Sequence, residues 1–118
     1  MTETHSNEDR VVQLDELAPT DCSCGTTRRG FADREHTPAT VHLLEVTEEA
    51  RTHYHQRLTE LYIVLEGEGH LEVDGDPVPL RPMTTVLVEP GVRHRAVGKL
   101  RVLNVVLPRF DPHDEWFD

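Results

Sequence analysis

Two histidines separated by a single residue, His53 and His55, stand a few residues before a glutamate, Glu60. In an extended strand, residues i and i+2 point to the same side, so the two imidazoles would lie about 6–7 Å apart along the strand. Nitrogen atoms placed in this way can converge on one metal ion. The four residues between His55 and Glu60 could turn the chain and bring the carboxylate to the same ion from a neighbouring strand.

A third histidine, His94, follows a Pro-Gly pair that would turn the chain into a further strand. The chain contains eight histidines, so a His-x-His pair taken alone could be two surface residues. The joint pattern is more specific, because Glu60 and Gly67 follow the pair and a Pro-Gly-x-x-His segment comes about thirty residues later. The sequence therefore predicts a metal site at His53, His55, Glu60 and His94.

The elements that must position these residues are short and extended. From residue 40 onward, segments rich in Val, Ile and Leu recur every eight to twelve residues and are separated by Gly, Pro or Asp. This spacing is typical of an all-β sandwich or barrel, and no segment shows a sustained helical period. The predicted strands cover residues 40–46, 51–56, 60–65, 70–73, 78–80, 85–88, 93–97 and 100–107.

One hairpin is predicted from its turn. Residues 70–73 and 78–80 flank Asp74 and Gly75, a dipeptide suited to turns that require positive φ angles. Leu71 and Val73 alternate with charged neighbours. We therefore expect one face of this hairpin to be buried and the other to face solvent.

The metal-site residues resemble the cupin superfamily, whose first motif is His-x-His, three or four residues, Glu, six residues, Gly. Here the motif runs from His53 to Gly67. The second motif, Gly-x5-Pro-x-Gly-x2-His-x3-Asn, is matched at Gly91 and His94. Three other positions of that motif hold different residues, namely Met83 for Gly, Glu89 for Pro and Gly98 for Asn.

This resemblance implies an antiparallel double-sheet β-barrel of the cupin or jelly-roll type, in a single domain that often forms a homodimer. It also places one divalent metal ion inside the wider mouth of the barrel. Three neutral imidazoles and one carboxylate suit Fe, Mn, Ni, Cu or Zn, and the ligand types do not choose among them. Such a site has open positions for water, O2 or a substrate oxygen.

Three regions are predicted along the chain. Residues 1–39 form an N-terminal tail and loop segment, with a loose tail over 1–10, one possible strand over 11–17 and a long loop over 19–38. Residues 40–107 form the cupin β-barrel core. Residues 108–118 contain Trp116 and Phe117, which suit a segment packed on the barrel or on a partner subunit better than a free tail.

Further residues could contact a substrate. Strand alternation places Tyr62 on the inward face with Glu60, and Arg51 on the face of His53 and His55. Tyr62 could donate to a bound substrate or fill the barrel, and Arg51 could pair with a substrate carboxylate or lie at the solvent-exposed rim. Asn104 could donate into the pocket from the last long strand or face outward.

Other polar residues carry open alternatives. Arg28 and Arg29 could bind an anionic substrate from a loop over the barrel mouth, or pair with nearby acids. Cys22 and Cys24 could form a redox pair or half of a zinc site to which His36 could contribute. Because a structural zinc site needs four ligands and no second cysteine pair exists, two reduced thiols are the favoured interpretation.

Composition excludes some classes of partner. The 22 acidic and 12 basic residues give a formal net charge of −10, which disfavours nucleic-acid binding, since that relies on basic residues. No apolar stretch is long enough to cross a bilayer, and no targeting signal stands at the N-terminus, so a cytoplasmic protein is expected.

We expect a metal-dependent enzyme that acts on a small organic molecule, with Glu60 and Tyr62 as catalytic residues. A dioxygenase is the favoured reaction class, since iron would also activate O2. The alternatives are a sugar or keto-acid isomerase or lyase, in which Glu60 acts as a base, and a non-catalytic metabolite-binding module. At 118 residues there is no room for an added DNA-binding helix-turn-helix.

Overall fold

The computed structural model describes residues 7–118 and is built almost entirely from antiparallel β-strands. Two short 3-10 helices precede them, at Asn7–Arg10 and Leu14–Glu16. The strands are β1 (Thr20–Cys22), β2 (Gly25–Gly30), β3 (Thr40–Val46), β4 (Thr59–Val73), β5 (Asp76–Leu80), β6 (Thr85–Val88) and β7 (His94–Leu107). They are hydrogen-bonded in the order β1-β2-β3-β7-β4-β5, with β6 also on β4. The predicted all-β fold of the jelly-roll type is confirmed.

Two long strands carry the chain from one layer to the other. Strands β4 and β7 pair along their whole lengths, from Thr59 opposite Leu107 to Val73 opposite His94. One end of this pair is flanked by β6 and β3, and the other end by β5. The ladder shifts register at a bulge between Val64 and Glu66, as expected where a strand turns a corner between two sheets.

The bend depends on close backbone contact. Gly67 has a φ of 93°, and a Cβ atom there would lie 2.1 Å from the carbonyl oxygen of Lys99 on β7. Gly98 lies opposite Gly69 on the facing strand and has a φ of 125°. Only glycine allows both this conformation and this approach, so the bend keeps its ladder without side chains between the strands.

The core lies between the two layers. Along β4, Glu60, Tyr62 and Val64 are buried, while Leu61 and Ile63 between them are only partly buried. This alternation is expected for a strand with one face towards the core. The buried apolar cluster comprises Leu44, Val46, Tyr62, Val64, Leu71, Leu80, Val88, Ala96, Leu100 and Val102.

Most predicted strands are found, and some are joined. The segment 40–46 coincides with β3, and the hairpin of β4 and β5 turns at Asp74 and Gly75, whose φ angles are 48° and 87°. The segments 60–65 and 70–73 are one strand, β4, and the segments 93–97 and 100–107 are one strand, β7. Their separating glycines bend these strands rather than end them.

Three predictions of local structure are wrong. Residues 51–56 do not form a strand and make only isolated bridges, His53 with His94 and Tyr54 with Trp116. Within the predicted strand 11–17, Leu14–Glu16 is a 3-10 helix. The predicted loop 19–38 contains β1 and β2. The threonines and arginines of β2 pair with β3, which supplies the hydrophobic residues, and β1 pairs with β2.

The two terminal segments lie outside the predicted barrel core. Of the predicted tail 1–10, residues 1–6 lie outside the described residues, and Asn7–Arg10 is a 3-10 helix. The C-terminal segment 108–118 lies against residues 54–58, since Trp116 pairs with Tyr54 and Asp114 accepts from the backbone beyond it. In the described part of the chain, no helix is long and apolar enough to cross a membrane.

Candidate metal centre

The four predicted metal ligands come together in the structure. One ligand atom from each of His53, His55, Glu60 and His94 lies within 4.8 Å of the corresponding atoms of the others. Glu60 is the second residue of β4 and His94 the first of β7. The backbone bridge between His53 and His94 attaches the His-x-His segment to the edge of β7, so these three elements meet at one point.

Each histidine of this cluster is oriented by a backbone carbonyl. A carbonyl oxygen can only accept a hydrogen bond, so the Nδ1 atom facing it carries the proton and Nε2 keeps its lone pair. Metal-binding histidines in proteins are held in this way. The Nδ1 donors and their acceptors are His53 to Arg51 at 3.2 Å, His55 to Asp114 at 2.5 Å, and His94 to Val92 at 2.9 Å.

Glu60 completes the donor set from the neighbouring strand. Its Oε2 atom accepts a hydrogen bond from Asn104 Nδ2 at 2.6 Å, which leaves Oε1 to face the imidazoles. Oε1 lies 3.4 Å from His94 Nε2 and also contacts His55 Nε2. Oε1 and His94 Nε2 are buried without a hydrogen-bond partner, as expected where a cation binds. The residues therefore fit a first-row divalent ion, which three imidazoles and one carboxylate commonly hold.

The electrostatics of the cluster point the same way. Burial alone would lower the pKa of His55, but the close contact with Glu60 and the negative charge of its carboxylate outweigh burial and raise that pKa. Burial would raise the pKa of Glu60, yet His55 and His94 hold it well below its usual range. Burial and the nearby His94 lower the pKa of His53. A positive charge is therefore favoured among these atoms, and a divalent ion can supply it.

A cavity of about 370 Å³ opens beside the cluster, and His53, His55 and Glu60 form part of its wall. Arg51 and Tyr62 also line it. Burial and the negative charge of Glu60 raise the pKa of Tyr62 well above its usual value, so its phenol stays protonated. A cavity of this size accommodates a small organic molecule.

The structure places the other predicted residues differently. Asn104 is buried on β7 and is not among the cavity-lining residues, since its amide donates to Glu60. Arg29 lines the cavity from β2, whereas Arg28 donates to the Leu17 carbonyl oxygen at 2.9 Å. Substrate-binding roles for Arg51, Tyr62 and Asn104 stay predictions.

Two residues of the site were not identified from the sequence. His42 on β3 is 3% exposed and lines the cavity, and burial together with Arg29 lowers its pKa to about 4. Leu43 next to it is also buried, so β3 shows no alternation that would assign His42 to the inner face. Asp114 holds His55 through its backbone carbonyl, a contact for which the side-chain pattern gives no signal.

The two cysteines are free thiols whose Sγ atoms lie 2.9 Å apart in the cavity wall. Among residues 7–118, the cluster around Glu60 is the only group of three or more His, Cys, Asp or Glu side chains that could hold a metal ion. The interpretation of Cys22 and Cys24 as reduced thiols agrees with this arrangement.

Residues 40–106 match the model of the cupin domain family. The chain belongs to the cupin family. No curated protein sequence matches this cupin.

Solved structures resemble this cupin over most of its length. A protein from Planctomyces limnophilus is 38% identical, covers 91% of this chain and 95% of its own, and superposes with a TM-score of 0.87. The Streptomyces nucleoside dehydratase Pac13 is 20% identical over 88% and 86% of the two chains, with a TM-score of 0.77. Ectoine synthase from P. lautus is 19% identical over 90% and 87%, with a TM-score of 0.73. The last two share the cupin fold.

Proposed function

We propose that this cupin is a metal-dependent enzyme acting on a small organic molecule, and that oxidation of the substrate by O2 is its reaction class. The observation that carries the proposal is that three oriented imidazoles and one carboxylate converge at the wall of a cavity of about 370 Å³. A metal held only for structure would not need a cavity beside it.

The bound metal would supply Lewis acidity and, if it is iron, electrons for the reaction of O2 with the substrate. His53, His55 and His94 would hold it through Nε2, because their Nδ1 atoms donate to carbonyls. Glu60 would hold it through Oε1, since Oε2 accepts from Asn104. Asn104 would thus act chiefly by orienting the carboxylate, and its Oδ1 atom, which has no hydrogen-bond partner, would make any direct contact with the substrate.

Tyr62 and Arg51 are proposed to contact the substrate. The raised pKa of Tyr62 makes its phenol a hydrogen-bond donor rather than a base at neutral pH. Arg51 stacks on the Phe117 ring at 4.3 Å and donates to the Asp118 carbonyl oxygen at 3.4 Å, which places it at the exposed side of the cavity. Tyr62 would therefore act near the metal and Arg51 near the entrance.

The second candidate is a lyase or isomerase. It is favoured by the fold neighbours, two of which are named as a nucleoside dehydratase and an ectoine synthase. In such a reaction Glu60 would accept a proton, and its lowered pKa makes it a weak base. This is why we favour oxidation. A non-catalytic metabolite-binding module remains as the third candidate, with the same cavity as its site.

The test begins with metal analysis of protein purified without added metal. Consumption of O2 is then followed with catechols, thiols and keto acids as substrates. Stoichiometric iron with substrate-dependent O2 uptake supports the dioxygenase. Zinc or nickel with substrate conversion but no O2 uptake contradicts it and supports the lyase or isomerase. Metal binding with ligand binding but no conversion supports the binding module.

We also propose that this cupin forms a homodimer through the outward face of the strands β6, β4, β7 and β3. Leu87 on β6 is opposite Leu61 on β4, which is opposite Val105 on β7, which is opposite Val41 on β3. This outward row is entirely aliphatic, and Leu87 is 55% exposed. A continuous apolar sheet face of this kind is typical of a protein interface.

A further inference from the structure

A row of polar side chains crosses the inward face of the strands β2, β3, β7 and β4. Arg29 on β2 lies opposite His42 on β3, His42 opposite Asn104 on β7, and Asn104 opposite Tyr62 on β4. Neighbouring strands are about 4.8 Å apart, so the row leads from the vicinity of the metal centre to Arg29 over roughly three strand spacings.

The adjacent inward row is largely apolar. It consists of Thr27, Leu44, Val102 and Val64 in the same strand order. The row from Arg29 to Tyr62 is therefore polar throughout, whereas this adjacent row has Thr27 as its one polar residue. Polar groups on the inner face of a barrel are unfavourable unless they are paired with each other or with a ligand.

Arg29 is the member of this row without a matched partner. It lines the cavity, and its Nε atom is buried without a hydrogen-bond partner. In the described part of the chain, no carboxylate forms an ion pair with it. The guanidinium is held instead by an aromatic ring, with its central carbon 4.6 Å from the centre of Phe110.

The surroundings of Arg29 make this arrangement costly unless an anion joins it. A partly buried cation loses hydration, and among the described residues only the Phe110 ring and the charge interaction with the Cys22 thiol offset this loss for Arg29, since no carboxylate pairs with it. The chain carries 22 acidic residues, yet none of those that the structure describes forms an ion pair with Arg29. The neighbouring His42 cannot supply the missing negative charge, because an imidazole is either neutral or cationic. Its ring packs against Phe110 at 5.0 Å, which fixes the platform under the guanidinium.

We propose that Arg29 is the anion-binding residue of the cavity and that the substrate carries a carboxylate at the end remote from the metal centre. This inference rests on the proposed function, because it assigns the substrate class of the same site. One guanidinium matches one carboxylate through two parallel N–H donors. Asp111 and Glu115 also line the cavity, and their repulsion is about twice as strong for a doubly charged group such as phosphate as for a single carboxylate.

The experiment compares acids with their neutral amides. The probes are 3,4-dihydroxybenzoate, 3,4-dihydroxyphenylacetate and 3,4-dihydroxyphenylpropionate, each beside its primary amide. Within a pair the metal-binding catechol is unchanged and only the charge of the remote group differs, while the three pairs vary its distance. Dissociation constants are measured by calorimetry on zinc-loaded protein, so that no oxidation accompanies binding.

The variants are Arg29→Gln and, as the matched control, Arg28→Gln. Arg28 precedes Arg29 on β2, carries the same charge, and contacts the Leu17 carbonyl rather than the cavity. At least one acid is expected to bind the unmodified protein and Arg28→Gln about tenfold more tightly than its amide, as one charge-assisted pair provides. This preference is expected to disappear in Arg29→Gln.

Three results would overturn the inference: no acid preferred by the unmodified protein, a preference kept in Arg29→Gln, or an equal loss in Arg28→Gln. If Arg29→Gln does not fold, Arg29→Lys replaces it, and an undiminished preference in that variant also contradicts a bidentate contact. Failure of the proposed function would show separately, as missing O2 uptake and missing substrate conversion, because the ratio of acid to amide affinity is measured on zinc-loaded protein without turnover.

Discussion

The imidazole of His55 is held at both nitrogen atoms. Its Nδ1 donates to the Asp114 carbonyl oxygen at 2.5 Å, and its Nε2 faces Glu60. Removal of this ring leaves two imidazoles and a carboxylate, and it also removes the contact that fixes the ligand segment. We expect His55→Ala to lose the bound metal, measured as metal per chain by mass spectrometry after dialysis.

The matched control for this variant is His36→Ala, since the His36 side chain is 71% exposed and lies outside the cluster. It is expected to keep the metal content of the unmodified protein. One equivalent of metal in His55→Ala would show that the metal centre lies elsewhere.

Cys22 is the most reactive thiol expected in the cavity. A hydrogen bond with the thiol of Cys24 lowers the pKa of Cys22 from 9.0 to about 6, although burial opposes it, and backbone donors and Arg29 assist. Burial and the same contact raise the pKa of Cys24. The rate of Cys22 alkylation by iodoacetamide should therefore rise with a midpoint near pH 6, as measured by peptide mass spectrometry. Cys24→Ala should move this midpoint upward. A midpoint near pH 9 in the unmodified protein would show that the contact with Cys24 does not stabilise the Cys22 thiolate.

At the scale of elements, the C-terminal segment fastens the ligand segment to the barrel. The Asp114 carboxylate accepts from the backbone N–H groups of Gln56, Arg57 and Leu58 at 2.9, 2.9 and 3.1 Å. It also accepts from Trp116 Nε1 at 2.9 Å. These residues form the turn between His55 and Glu60, so the distance between two metal ligands depends on one buried carboxylate.

We expect Asp114→Ala to lower the free energy of unfolding by about 3 kcal/mol, because several backbone donors lose a charged acceptor. Metal affinity should fall about tenfold, because the turn between His55 and Glu60 loses the carboxylate that fixes it, while the backbone carbonyl that accepts from His55 remains. Urea unfolding of metal-free protein and competitive metal titration measure the two effects. Asp21→Ala, which removes an exposed carboxylate on β1, serves as the control. An unchanged metal affinity in Asp114→Ala would separate the segment from the site.

The bend of β4 and β7 is the second element on which the site depends. Gly67→Ala would put a Cβ atom 2.1 Å from the Lys99 carbonyl oxygen at a φ of 93°. We expect a loss of about 3 kcal/mol in unfolding free energy from strain and displaced backbone. Gly75→Ala has a similar φ of 87° and no atom within 4 Å, so it should cost only about 1 kcal/mol. Equal losses in urea unfolding would show that close approach does not hold the bend.

For the whole molecule, the aliphatic outer row predicts self-association. Leu87→Glu places a charge at the exposed end of this row and is expected to convert the homodimer to a monomer in sedimentation velocity at fixed concentration. Val11→Glu changes an equally apolar and 76% exposed residue outside the sheet, and should leave the dimer intact. A monomeric unmodified protein would contradict the homodimer, and a dimeric Leu87→Glu would move its interface to another surface.

The sequence by itself predicted the all-β class and the four residues that cluster as a candidate metal site. The two-residue period of strands and the spacing of His53, His55 and Glu60 are short-range rules, whereas His94 was assigned from the Pro-Gly-x-x-His pattern about thirty residues later. The hairpin at Asp74 and Gly75 is also local, since its turn requires positive φ angles that this dipeptide accepts. Such features need no knowledge of distant residues.

Only the tertiary structure decided what surrounds the metal centre. The register that places Arg29 beside His42 arises from pairing between strands that are distant in sequence, and neither strand alternates clearly enough to reveal its inner face. The group that holds His55 is the backbone carbonyl of Asp114, which lies 59 positions further along the chain. Long-range pairing and backbone contacts leave little trace in side-chain type, so they became visible only when the chain was folded.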